Sequence, residues 1–448
     1  MLARALLIAA AIAALAYTLF RIVATAASPL AEPAACVGCN VLLISIDTLR
    51  ADHLGVYGHD RPTSPAIDAL ASRSVVFEDA IGQSAWTRPA HASMLTALYP
   101  SEHGIVGMDG HRGLAAELLT LPAVLAARGY ATAAFTGGAN MSAHFGFDNG
   151  FETYRSPGRR IEDAIAGVDT FLAGRREPFF LFVHGFDAHK PYRATPVDRE
   201  ALGLRGERAR GLARACREGQ GPDDLAAFMA DYDAAIHRAD RGVAKLLELL
   251  ERHGVADRTV IVLTADHGEE FLEHGRCSHI RALYREVVRV PLIVHVPGVA
   301  AGRVAGVVPA SVAIAPTVLE IVTDGNGASE LSGPSLAPAL LGGPRPGTYV
   351  ISETSSRVTA ENGGGYVISL SADDEKLLWW IENDEREYFD LASDPYERRP
   401  LAREPRIGRL GRQIERWRRE HPPRVRHAGA GVLPRKLERE LRALGYAN

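Results

Sequence analysis

The sequence predicts an α/β fold, a mainly parallel sheet flanked by helices, followed by a smaller C-terminal α+β subdomain. Three observations predict it. Short apolar, β-branched runs alternate with helical patterns, as in repeated strand–helix–strand units. Polar residues suited to chemistry stand at or just past the C-terminal ends of several of those runs, the edge where open α/β sheets bind ligands. A stretch rich in Gly, Pro and Ser then separates this region from a set of closely spaced short strands. With 448 residues and 47% hydrophobic content, the chain can bury a large core and is not intrinsically disordered.

Residues 1–27, MLARALLIAAAIAALAYTLFRIVATAA, carry Arg4, an uncharged and largely apolar run from Ala5 to Phe20, then Arg21 and a small-residue A-T-A ending at Ala26. This is the pattern of an export signal. It stays open between a cleaved signal peptide and an uncleaved anchor, because Ile22 to Ala27 would lengthen the run toward the roughly 20 apolar residues that a membrane span needs. Either way the body of the protein is expected outside the cytoplasm, periplasmic, secreted or membrane-anchored. Residues 28–39 read as a linker. Within it, Cys36 and Cys39 suit a small local disulfide or a lipid site at Cys36, while Cys216 and Cys277 read as unpaired.

Residues 40–323 hold the alternating pattern. Strands are expected at VLLISID (41–47), ATAAFTG (131–137), FFLFVHG (179–185), VIVLTAD (260–266) and PLIVHVP (291–297). Between Asp223 and His253, the spacing of Ile236, Val243, Leu246, Leu247 and Leu250 predicts a long amphipathic helix. Residues 324–347 read as the linker, and 348–448 as the subdomain: YVISE, YVISL, KLLWWIE and EYFDL suit an antiparallel sheet, and a charged helix is expected from about Arg406 to Glu420. The net charge of −4 offers no global attraction to nucleic acid, and the Arg-rich runs at 397–404 and 409–420 read as solvated helix faces, so no nucleic-acid partner is expected.

The chemistry is read from the strand ends. In TADHGEEFLEHG (264–275), Asp266 and His267 present a hard oxygen and an imidazole side by side, which suits a divalent metal or, alternatively, a helix cap. Asp47 ends a second buried strand and could supply another carboxylate to the same ion. His184, Asp187 and His189 follow a third, and several polar groups on one sheet edge are costly unless a ligand satisfies them. His274 and His279, in EHGRCSHI, add two imidazoles that could equally be loop residues. In TRPAHASMLTALYP (87–100), Pro89 with Met94 and Leu95 predicts a helix beginning near Thr87. Thr87 is then either a nucleophile at a helix N-terminus that favours an anionic ester, or an ordinary N-cap. A metal at the hydroxyl would lower its pKa and activate it.

Together these residues resemble the sulfatase family of the alkaline phosphatase superfamily from about Asn40 to Leu401. The carrying motifs are NVLLISIDTLRADHLGVYG, TSPAIDALASRSVVFEDAI, TRPAHASMLTALYP, FVHGFDAHKPY, TADHGEE, REVVRVPLIVHVPG and EYFDLASDPYERRPL. The resemblance implies an alkaline-phosphatase-like fold and a metal-dependent hydrolase of anionic sulfate or phosphate esters. Two departures qualify it. Where ordinary sulfatases carry an oxidisable Cys or Ser in C-x-P-x-R, this chain has Thr87, Pro89 and His91. Oxidation of threonine would give a ketone, so no formylglycine is expected. Thr48 also stands where a second carboxylate would follow Asp47, which puts the family's calcium site in doubt.

By analogy with threonine-nucleophile relatives, Asp47, Thr87, Asp266 and His267 would hold one divalent ion, manganese or zinc rather than calcium. Thr87, His189 and His279 would be catalytic, the two histidines touching the transferred group and the leaving oxygen. Arg50, His91, His184 and His274 are candidates for substrate contact, Arg50 alternatively pairing with a carboxylate. A phosphoglycerol- or phosphoethanolamine-type transferase of the cell envelope and a non-catalytic anion-binding protein are the alternatives.

Overall fold

The computed structural model describes residues 36–107, 112–205, 222–323, 330–355, 365–424 and 433–443. The expected signal or anchor in residues 1–27 lies outside them. Among the described residues no helix is long and apolar enough to cross a membrane.

The large sheet is built from β1 (Asn40–Ile46), β2 (Val75–Ile81), β3 (Ala131–Thr136), β4 (Thr153–Arg155), β5 (Phe179–Gly185), β6 (Thr259–Thr264), β9 (Arg289–His295) and β10 (Gly302–Pro309). Its order is β10-β2-β9-β6-β1-β5-β3-β4. The short pair β7 (Glu270–Phe271) and β8 (Cys277–Ser278) forms a separate hairpin. β1 lies between β5 and β6, parallel to both, and is buried along its whole length, as are β5 and β6. That is why these three read as continuous apolar runs. β9 is antiparallel to both its neighbours, β6 and β2, so the sheet is mainly and not wholly parallel.

Register places the chemistry. Ser45 of β1 pairs with His184 of β5 on one side and Thr264 of β6 on the other. The chain leaving all three strands therefore emerges at one edge, side by side.

The helices that cover this sheet include α1 (Pro65–Ala71), α2 (Thr87–Thr96), α3 (Ile161–Leu172), α4 (Pro222–Arg252) and α5 (Ser311–Val322). α4 is the long helix expected between Asp223 and His253, and Ile236, Val243, Leu246 and Leu250 are buried on its inner face, with Leu247 partly buried beside them. Every residue of α2 is buried, which explains its lack of a polar face.

The segment expected as a linker is packed where it is described: Leu331, Leu336 and Leu340 join the main core. After it, β11 (Val350–Ser355), β12 (Tyr366–Ser371), β13 (Glu375–Trp380) and β14 (Glu385–Asp390) form an antiparallel sheet in that order. α6 (Glu404–Glu420) covers one face through Ile407, Leu410, Ile414 and Trp417. The other face, with Val350, Val367, Leu378 and Phe389, packs on Leu283, Val287 and Val288 of the large domain. The arginines of both runs lie at an ion-paired surface: Arg403 is 3.5 Å from Asp390, and Arg409 pairs with Glu375, although Glu397 at the start of the first run is buried.

Cys36 and Cys39 form the local disulfide. The expectation that Cys277 is unpaired is corrected, since it takes part in a disulfide, whereas Cys216 lies outside the described residues.

Candidate active site

Asp47 follows β1, and its amide donates to Gly185 O at 2.9 Å, tying it to the end of β5. Asp266 and His267 follow β6. Gly268 is required next: a Cβ there would lie 2.0 Å from Glu286 O, so the glycine serves close backbone approach and not a left-handed turn.

Thr48 does adopt the left-handed conformation, with φ 57°, a strained state for a β-branched residue. The bend aims its amide at Asp266 Oδ1, 3.2 Å away, while its carbonyl accepts from Tyr232 OH at 2.6 Å. Position 48 thus supplies a backbone donor to the acid that follows β6.

Thr87 is the first residue of α2. Trp86 occupies the N-cap without a side-chain capping bond, and Thr87 Oγ1 donates to Asp47 Oδ2 at 3.2 Å. The hydroxyl therefore faces the acids and does not cap the helix.

Around it, His184 Nε2 lies 3.5 Å from Asp47 Oδ2, and His267 Nε2 lies 3.4 Å from Asp266 Oδ2. Their Nδ1 atoms donate to Gly137 O and Gly268 O, at 3.0 and 2.9 Å, so each ring turns its Nε2 toward the carboxylates. Asp47 Oδ1, Asp266 Oδ2, His184 Nε2 and His267 Nε2 are buried with no hydrogen-bond partner. Orphaned buried polar atoms cost about 1–3 kcal/mol each, so four in one cluster mark a place where a ligand satisfies them. Asp47, Asp266 and His267 bring one ligand atom each within 4.8 Å of one another.

Electrostatics set the two acids apart. Burial and the neighbouring Asp266 charge push the Asp47 carboxyl well above the usual carboxylate range. Burial would raise Asp266 too, but the imidazoles of His267, His91 and His184 draw it down to about 2. Two buried carboxylates with an imidazole at this spacing give a site whose charge a divalent cation would balance.

Another histidine–acid cluster differs instructively. His53 Nδ1 and Arg61 each lie 2.6 Å from Asp233, which also faces His59 Nε2 at 3.3 Å. None of its side-chain atoms is orphaned. It is a satisfied brace between the β1 loop and α4.

An outer group lies beside His267. The His279 ring centroid is 4.3 Å from that of His267 and 5.4 Å from that of His189. His279 Nδ1 is 3.1 Å from Glu269 Oε1, and Lys190 Nζ is 4.0 Å from the same oxygen. Burial and the mutual repulsion of His279 and His189 hold His189 down to about 3, and burial with the neighbouring His267 holds His279 to about 4.

The residues expected to contact substrate are placed differently from one another. His184 and His91 belong to the inner cluster. His91 has both nitrogens engaged, Nδ1 with Thr87 O at 2.8 Å and Nε2 with Ser45 Oγ at 3.0 Å, so it clamps the first turn of α2 onto β1. Arg50 takes its alternative reading, pairing with a carboxylate: it lies 2.7 Å from Asp52 and 2.5 Å from Glu273 and also donates to Glu269 O at 3.0 Å. His274 stands apart from these groups as a brace. It lies 2.7 Å from both Glu286 Oε1 and Glu397 O and stacks on Tyr284 at 3.5 Å, joining the hairpin to the small domain. Asp187 accepts from the Ile161 amide at 2.9 Å at the start of α3, and burial pushes it up to about 7.

Glu269 was not singled out in the sequence. Its position directly after Asp-His-Gly was the available signal.

The sequence profile of the sulfatase family matches residues 39–324, the span that carries Asp47, Thr87, His189, Asp266, His267 and His279. The chain belongs to the sulfatase family. This sulfatase-family hydrolase is 25% identical to human arylsulfatase A over 353 residues, covering 68% of each chain. It is 25% identical to mouse iduronate 2-sulfatase over 330 residues and spans 59% of that enzyme's length. Its fold matches that of BT4656 in complex with its substrate D-glucosamine-2-N,6-O-disulfate, with a TM-score of 0.72 at 19% identity, over 85% of this chain and 97% of that one. It also matches the phosphonate monoester hydrolase of Agrobacterium radiobacter, with a TM-score of 0.69 at 20% identity, over 86% and 96%.

Proposed function

We propose that this sulfatase-family member is an exported, metal-dependent hydrolase of sulfate or phosphate esters whose nucleophile is Thr87. The contact of Thr87 Oγ1 with Asp47 Oδ2, at 3.2 Å beside orphaned carboxylate and imidazole atoms, carries this reading. Asp47, Thr87, Asp266 and His267 would hold one divalent ion, which would offset the two acids and lower the pKa of the hydroxyl. An imidazole among oxygen donors suits manganese or zinc better than calcium.

The chain's own residues supply the rest. Asp47 Oδ2 stands where it can take the Thr87 proton as the oxygen attacks sulfur or phosphorus. The amides at the N-terminus of α2 favour the anionic ester. His189 would contact the transferred group, and His279 would give a proton to the leaving oxygen. Water, or an acceptor alcohol in a transferase, would then resolve the threonyl ester. Formylglycine is not part of this reading, because the threonine methyl rules out an aldehyde. Human arylsulfatase A is a sulfatase by name, which supports sulfate; the unmodified hydroxyl keeps phosphate esters in play.

The test is a screen of sulfate esters, phosphate monoesters and phosphodiesters against several metals, with mass spectrometry of the Thr87 peptide. A sulfo- or phospho-adduct on Thr87 supports the proposal. Formylglycine-like chemistry elsewhere, or turnover independent of Thr87, overturns it.

A further inference from the structure

We propose that Tyr232 is a positioning residue for the metal site: its hydroxyl holds Thr48 in a strained bend, so that the Thr48 amide occupies one oxygen of Asp266 and leaves the other for the ion. The proposal rests on the metal reading given above. Thr48 has φ 57°, and a β-branched residue keeps a left-handed conformation only where its surroundings impose it.

A phenol reaching across from α4 imposes it. Tyr232 OH donates to Thr48 O at 2.6 Å and accepts from the Arg50 amide at 2.9 Å, bridging two backbone groups of the turn. The ring is fully buried and meets those of His53 and Phe271 edge-on, at centroid distances of 5.0 and 4.9 Å, so the hydroxyl has a fixed place. Burial raises the phenol well above its ordinary value, which keeps on it the proton that it donates. Within the turn, the Thr48 hydroxyl adds a bond to Asp47 O at 2.7 Å.

The consequence falls on Asp266. Its Oδ1 accepts from the Thr48 amide at 3.2 Å and from the His267 amide at 2.9 Å. Its Oδ2 is buried with no hydrogen-bond partner, 3.4 Å from His267 Nε2. Two amides therefore commit one oxygen and leave the other as the ligand atom, and hydrogen bonds of this kind fix the orientation of a ligating carboxylate. The link runs from a helix on the outside of the sheet, through the backbone after β1, to the acid after β6.

The experiment titrates manganese and zinc into metal-stripped wild type, Tyr232→Phe, Thr48→Gly and the double variant by calorimetry, with thermal unfolding of the metal-free proteins alongside. Loss of a group that orients a ligand costs about 10–100-fold in metal affinity, so Tyr232→Phe should lose that much for whichever ion wild type binds more tightly. Glycine adopts positive φ without strain, and a turn with glycine at position 48 needs the clamp less. The Tyr232→Phe change should therefore cost less than about fivefold in the Thr48→Gly background. Unchanged affinity in Tyr232→Phe, with only its unfolding temperature lowered, makes Tyr232 a packing residue and overturns the proposal. An equal loss in both backgrounds overturns it as well. Failure of the metal reading itself shows separately, as wild type that takes up neither ion.

Discussion

The Thr354 hydroxyl of β11 donates to the Ile280 carbonyl at 2.7 Å, one residue beyond His279. Ile280 has φ 93°, a conformation that a β-branched residue keeps only when its surroundings impose it. The small sheet thus holds the loop that carries a proposed catalytic histidine. Thr354→Val should cost about 1–3 kcal/mol by orphaning that carbonyl. It should also lower turnover on the order of tenfold or more by misplacing His279. Thermal unfolding and kcat measured together check this; full turnover in a destabilised protein would show that the loop holds itself.

Thr87→Ala should abolish turnover and leave substrate binding, whereas Thr87→Ser should retain part of the activity because the oxygen remains. A hydroxyl that only capped α2 would instead cost about 1 kcal/mol on removal and leave the chemistry intact. Kinetics on the two folded variants decide between these outcomes.

Asp47, Asp266 and His267 should act together in holding metal. Replacing any of them with Ala should remove most of the bound ion, and not merely slow the reaction. Elemental analysis of the purified variants reads this directly. Full occupancy in Asp266→Ala would count against the ligand set.

The His274 brace should make stability depend on pH. Burial opposes its charge, but the hydrogen bond and charge of Glu286 outweigh this and raise His274 from 6.5 to about 9. A raised folded-state value means that the contribution is fully present below about pH 6.5 and is lost as pH rises through about 9. Chemical denaturation of wild type and His274→Gln across that range should show a gap that is widest at the acid end and closes above pH 9. A constant gap would assign the effect to stacking on Tyr284 alone.

The N-terminal run, with no Lys or Arg between Arg21 and Arg50, should let the body of the protein cross the membrane. A reporter active only in the cytoplasm, fused after residue 60, should be silent. Strong reporter signal would refute export.

Legibility in the sequence followed burial. β1, β5 and β6 are enclosed on both faces and spell themselves out as apolar runs, and so Asp47, His184 and Asp266 were found at their ends. β2 was hidden by Glu78 and Asp79 in its middle, the latter 2.8 Å from Arg285 across the packing. β10 begins with the exposed pair Gly302 and Arg303, and β4 has only three residues, too few for periodicity to register. The site was hidden for a different reason. His274 and His279 are five residues apart and look alike, yet the hairpin sends one to Glu397 and the other to Glu269. Thr48 gave no sign that its amide, and not its side chain, would meet Asp266.

Gly268 donates its amide to Val287 O at 2.7 Å, and the backbones there touch too closely for any side chain. The two ends of the excursion from residue 269 to 286 are therefore stapled to each other independently of what lies between them. Closing a longer loop over fixed ends costs only about 0.6 kcal/mol per doubling of length. Residues can thus be added within the excursion at small entropic cost, provided that His279 and Ile280, which Glu269 and Thr354 hold, are left as they are, while Asp266 and His267, on the near side of the staple, keep their places.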